Sequence, residues 1–240
     1  LYHDAPNGWR FLIDGVESFQ STHVATINTW QHLVVVYESG AATKIYLNGV
    51  SQVKSTTASG AIPSSTHWDI GKDGGTNTKN LNGELSNLAI WDTALTDPQV
   101  QTIYNNGTPE ASISHSPVSW YKLNNTTTGV QDSAGSNNGT NNGATEYAGF
   151  VNALAGESVG MDSSNLVVSD LQQTSGYSPY ALSLDGTDDF LNCGNTLGNG
   201  YSSISVSSWI NFGNPNSNVR EEIISKDDGS SNRSFALFKN

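Results

Sequence analysis

The sequence predicts an all-β fold, an antiparallel jelly-roll sandwich with two short helices. Three observations carry this. Short runs of β-branched and aromatic residues recur along the chain, clusters of Gly, Asn and Asp bound them, and helical periodicity is nearly absent. In order, residues 30–37 (WQHLVVVY) read as a strand. Residues 43–50 (TKIYLNGV) alternate Ile45 and Leu47 against Lys44, Tyr46 and Asn48, and the pair Asn48-Gly49 can take the positive φ angles of a tight turn, so this segment is a hairpin arm. Residues 84–91 (ELSNLAIW) form the next strand. The spacing then predicts a helix over 96–104, where Thr96 caps, Gln99 stands at the capping-box position and Asn105-Asn106-Gly107 stops it. A second helix is predicted over 163–173, with Leu166, Val167, Asp170 and Leu171 at helical spacing behind a Ser cap. Residues 180–185 (YALSLD) and 203–212 (SISVSSWINF) complete the strands.

Two stretches divide the chain. Residues 108–117 (TPEASISHSP) hold two prolines and no periodicity, as a linker between packed units does, and residues 131–143 (QDSAGSNNGTNNG) read as one long polar loop. The expected organisation is two halves, 1–107 and 118–240, joined by that linker.

Composition excludes several classes of function. With 22 acidic and 10 basic side chains the net charge is −12, the wrong sign for a nucleic-acid backbone partner. No apolar run reaches the roughly 18 residues of a membrane span, so no membrane insertion is expected. The single Cys193 permits no internal disulfide and no Cys-rich zinc site. The chain begins at Leu1 without a secretory leader pattern, as a processed chain or a slice of a longer one would.

Five segments together resemble the LamG-like members of the concanavalin A-like lectin/glucanase jelly-roll superfamily. Residues 29–49 (TWQHLVVVYESGAATKIYLNG) are similar to that family's Trp-x-His strand and Asn-Gly hairpin. Residues 81–107 (LNGELSNLAIWDTALTDPQVQTIYNNG) are similar to its closing strand and terminal helix. Residues 119–125 (SWYKLNN), 181–195 (ALSLDGTDDFLNCGN) and 204–212 (ISVSSWINF) are similar to its opening strands. The order is inverted, so 1–107 corresponds to the C-terminal half of a module and 118–240 to the N-terminal half. Either the chain is cut across a tandem array or it is one circularly permuted module. Reading from residue 240 back to residue 1 gives two strands joined by a turn, which completes a module. The Asn-rich run at 131–143, residues 165–186 and the Lys-poor composition also resemble LamG-like modules of marine virus and phage structural proteins.

No nucleophile elbow, zinc-hydrolase, phosphate-loop or dinucleotide motif is present. A glycoside hydrolase needs two carboxyl groups about 5–9.5 Å apart across a cleft. The densest carboxylates, Glu221-Glu222 and Asp227-Asp228, are neighbours along the chain in Asn, Ser and Gly surroundings and read as a solvated turn. His32 reads as a hydrogen-bonded strand residue. Catalytic residues are therefore expected to be none. The resemblance implies a structural Ca²⁺ at the sandwich rim, and Asp73, Asp188, Asp189, Asp227 and Asp228 are the oxygen-bearing candidates, with no other cofactor required. Of six tryptophans, Trp30, Trp91, Trp120 and Trp209 lie in predicted strands, whereas Trp9 and Trp68 flank turns and are the candidates for stacking on sugar rings. The function expected is a non-catalytic, extracellular, surface-displayed structural or adhesive module of a multi-copy assembly, a virion's capsid decoration or fibre, whose partners are glycans or neighbouring proteins. A dedicated secreted lectin and a glycoside hydrolase are the alternatives.

Overall fold

The computed structural model describes residues 8–13, 16–57, 59–64, 67–74, 79–110, 112–148, 180–213, 220–227 and 233–239. The elements are β1 (Gly8–Ile13), β2 (Val16–Val24), β3 (Gln31–Glu38), β4 (Ala42–Leu47), β5 (Val50–Thr57), β6 (His67–Ile70), β7 (Asn82–Trp91), α1 (Asp97–Tyr104), β8 (Ser119–Tyr121), β9 (Thr140–Asn142), β10 (Thr145–Tyr147), β11 (Ala181–Asp185), β12 (Phe190–Asn192), β13 (Ser203–Phe212), β14 (Glu221–Asp227) and β15 (Arg233–Lys239). A single 3₁₀ turn, Asn105–Gly107, follows α1. The predicted strands and the first helix stand where the sequence puts them. The predicted helix over 163–173 lies outside the described residues.

The strands form two antiparallel sheets. The first has the order β2-β1-β15-β14-β6-β12-β9, and the second β10-β11-β7-β13-β3-β4-β5, with β8 on β7. Segments 1–107 and 118–240 interleave in both. Among the described residues, seven of the thirteen ladders join one segment to the other: β1 to β15, β6 to β14 and β12, β7 to β8, β11 and β13, and β3 to β13. The described segments therefore share one core, and β15 meets β1 antiparallel with Trp9 opposite Lys239 and Ile13 opposite Phe235.

That core fills the space between the sheets. Trp9 and Phe11 of β1, Leu33, Val35 and Tyr37 of β3, Trp68 and Ile70 of β6, and Phe235 and Leu237 of β15 are buried in one cluster. Each contributes alternate residues, as the two-residue strand period requires. In β7 the period breaks: Leu85, Leu88 and Ile90 all face the core. The extra residue is Asn87, whose φ is 49°, and the ladder to β13 shifts register there. This is a β-bulge that turns the inward face from odd to even positions.

The other face of the second sheet is also covered. Val100 and Ile103 of α1 pack on Val34, Val36, Tyr46, Ala89, Trp91 and Trp120. This is why β3 is buried on both faces and reads as a continuous apolar run. The hairpin turn between β4 and β5 has φ 49° at Asn48 and 76° at Gly49, the geometry that pair favours. Gln99 Oε1 accepts from the Thr96 N–H at 2.8 Å, closing the start of α1. The long loop expected over 131–143 is corrected at its end, because Thr140–Asn142 forms β9 on β12. Ladder bonds use main-chain groups, and at a sheet edge polar Asn side chains carry no penalty.

Candidate functional site

The sequence candidates scatter to three places. Trp9 and Trp68, offered as exposed stacking residues, are 0% exposed. Their indoles lie in the inter-sheet core with ring centroids 5.3 Å from Phe212 and Phe235 respectively. Turn residues flank both in sequence, but β1 and β6 are inner strands of their sheet, so both neighbours and the opposing sheet close over them. Neither can stack on a ligand.

Instead the outward aromatics gather on the second sheet. His32 has its ring 5.0 Å from Trp209 and 5.7 Å from Tyr104, and Trp30 lies 6.3 Å from Tyr147. His32 Nε2 shares a 2.8 Å hydrogen bond with Ser207 Oγ. Burial drives its pKa down to about 3, so the ring is neutral and acts as packing, as expected of a structural strand histidine.

A buried carboxylate layer occupies the first sheet. Glu221, Glu222 and Asp227 were expected in a solvated turn, but they belong to β14 and are 3%, 0% and 1% exposed. Asp69 and Asp73 are equally buried. The segment after β6 folds back over these residues: Ser225 Oγ donates to the Lys72 carbonyl at 2.8 Å and accepts from Gly74 N–H at 3.1 Å. Basic side chains answer the charge, with Lys79 Nζ 3.1 Å from Asp73, Arg220 2.5 Å from Glu222 and Lys239 3.3 Å from Glu221. Burial, then the nearby carboxylates of Asp73 and Asp227, lift Glu222 well above the usual carboxylate range, and burial also raises Asp69. Two of the calcium candidates, Asp73 and Asp227, thus sit within a buried ion-pair layer rather than at the rim. Asp228 lies outside the described residues.

The remaining two, Asp188 and Asp189, do come together, and Asp185 joins them. One oxygen from each lies within 4.8 Å of the others, in the loop between β11 and β12. Part of that oxygen set ties the loop. Asp185 Oδ1 accepts from the N–H groups of Thr187 at 2.7 Å and Asp188 at 3.4 Å, and Asp189 Oδ2 accepts from Asp185 N–H at 3.0 Å. Burial and then its two acidic neighbours raise Asp189, the response of like charges held close. The donor set is all oxygen and suits a hard divalent ion such as calcium.

Sequence reasoning missed a fourth place. Beside the N-terminus of α1 a cleft of about 330 Å³ is lined by Val36, Glu38, Ala41, Ala42, Lys44, Ala94, Leu95, Thr96 and Asp97. Three alanines and Leu95 give it an apolar floor, and Lys44, Glu38 and Asp97 give it a polar rim. Asp97 accepts from Lys44 Nζ and from Tyr46 Oη, each at 2.7 Å. Those two bonds hold its carboxyl below the usual range. The residues come from the β3-β4 hairpin and from the far end of β7, so no local motif marks them. The one available signal was Asp97 beside a capping threonine, which fixes a carboxylate in the first turn.

Residues 1–101 match the family described as the concanavalin A-like lectin/glucanases superfamily. No curated protein and no solved structure matches the chain. The match and the two packed antiparallel sheets agree, and the fold is a concanavalin A-like jelly-roll sandwich.

Proposed function

We propose that the chain is a non-catalytic binding module that contacts carbohydrate through the cleft beside α1. The single observation that carries this is the cleft's lining, an alanine floor within a rim of Lys44, Glu38 and Asp97. A sugar ring has an apolar face and hydroxyl edges, so it would rest on the alanines and bond at the rim. Hydrolysis needs one carboxyl group kept protonated near neutral pH. Asp97 is instead held ionised by Lys44, and the carboxyls that burial raises, Glu222, Asp69, Glu84 and Asp189, all lie outside the cleft lining. This supports binding over cleavage.

A shallow open cleft gives weak affinity for one site. The proposal therefore includes display in many copies outside the cell, on a virion or on a cell surface, where repeated weak contacts sum. Calcium at Asp185, Asp188 and Asp189 would be a structural ion that stiffens the rim loop, not a participant in chemistry.

A glycan array probed with monomer and with a multivalent particle tests the reading. The expected result is binding by the particle that Lys44→Ala and Ala42→Trp both abolish, with no reducing sugar released. Unchanged binding by both variants removes the cleft from the site, and sugar release moves the protein to the hydrolases.

A further inference from the structure

We infer that a second copy of this chain is a partner, with residues 1–107 of one copy completing the sandwich of residues 118–240 of the other. The interface is the set of seven ladders that already joins the two segments within one chain, together with the inner faces they enclose. Every contact in that set can form in trans without change, because no ladder depends on which chain supplies the strand. What decides between the closed monomer and the exchanged dimer is the connection.

The connection carries backbone strain in the closed form, set against the bonds of Ser114 to Glu110 and the packing of Ile113 beside α1. After α1 the chain must return to β7, where Val118 N–H bonds the Ile90 carbonyl at 2.8 Å and β8 pairs with β7. It does so with two consecutive residues at positive φ, His115 at 64° and Ser116 at 50°. Neither is glycine, and Ser116 precedes Pro117, a position whose preference is extended backbone. An exchanged dimer opens this bend in both copies and lets His115 and Ser116 extend. Strained hinges of this kind favour exchange.

Once folded, the two forms do not interconvert readily, because exchange requires the seven ladders to break together. The partition is therefore set during folding and rises with chain concentration.

Two chains, each carrying one introduced cysteine besides Cys193, test this. Ser39 N–H bonds the Ser202 carbonyl at 2.8 Å across the two segments. Cys193 is buried and its thiol is pushed up to about 12, which keeps it out of exchange in the folded protein. Ser39→Cys and Ser202→Cys chains are mixed in denaturant, refolded under reductant and then oxidised. The expected product is a disulfide-linked dimer of the two different chains, in a yield that rises with refolding concentration. Ser116→Pro, which forbids the positive φ, should raise the yield. His115→Gly with Ser116→Gly, which removes the strain, should lower it by roughly tenfold or more. A mixed disulfide no more abundant than the like-with-like background overturns the proposal. Light scattering on the unsubstituted chain gives an independent reading: a dimer that survives dilution is expected after refolding at high concentration, and monomer at every concentration refutes it.

Discussion

Lys226 points from β14 into the interior, on the face that carries Ile224, and its ammonium donates to Asn199 Oδ1 at 2.6 Å. Burial lowers its pKa from 10.5 to about 8. At neutral pH the folded chain thus carries a charge that it would rather shed. Between about pH 8 and 10.5 the folded form releases the proton while the unfolded form keeps it, so stability rises with pH across that window. Lys226→Met should stabilise the protein at pH 7 and abolish this rise, and urea unfolding at pH 7 and 9.5 measures both effects. Asp132 behaves in the opposite sense. Burial alone would raise it, but hydrogen bonds from the N–H groups of Trp120, Gly135 and Ala134 and from Ser119 Oγ outweigh burial and hold it below the usual range. A depressed carboxylate stabilises above its unfolded pKa, near 4, and that contribution is lost as pH falls through the lower folded value. Asp132→Asn turns an amide donor toward those N–H groups. It should cost about 2 kcal/mol at pH 7 and flatten the acid side of the stability profile below pH 4, checked by the same titrations.

At the level of elements, the loop between β11 and β12 gives the third prediction. Calcium at 100 times its dissociation constant should stabilise the fold by about 2.7 kcal/mol, chelator should reverse this, and Asp188→Asn should remove most of it. No shift of the melting temperature in either direction would leave Asp185, Asp188 and Asp189 as a plain turn. The loop also shows what the sequence could reveal. Strands β3, β7 and β13, the Asn48-Gly49 turn and the capped α1 were legible because each is dictated within a few residues, by alternation, by positive φ or by a cap. Asp188 and Asp189 were legible as a pair because they are neighbours. Burial was not, since it depends on which strand lies opposite. Trp9 and Trp68 sit beside turns yet in the middle of a sheet, and Glu221, Glu222 and Asp227 look solvated in a polar segment until the chain after β6 covers them. The cleft was invisible for the same reason, since Lys44 and Asp97 are far apart along the chain and meet only when α1 packs on the hairpin.

For the whole molecule, the interleaving of 1–107 with 118–240 makes the order of the segments secondary to their pairing. A chain opened within 112–118 and closed from residue 240 to residue 1 should fold to the same sandwich and unfold in one cooperative transition, followed by circular dichroism and calorimetry. Residues 1–107 alone should show no such transition, because β6 and β7 lose neighbours on both sides. The seam between β15 and β1 has a mechanical meaning as well. With Trp9 opposite Lys239, the entry of β1 and the exit of β15 lie at the same end of their ladder. Tension applied at residues 8 and 239 meets the hydrogen bonds one pair at a time and unzips them, whereas tension between residues 13 and 239 would shear the whole ladder at once. In an optical trap the first pair of handles should yield at markedly lower force than the second. Under load, then, this module is a fuse: it parts first along β1 and β15, lengthening and dissipating work while the ladders of the second sheet still hold.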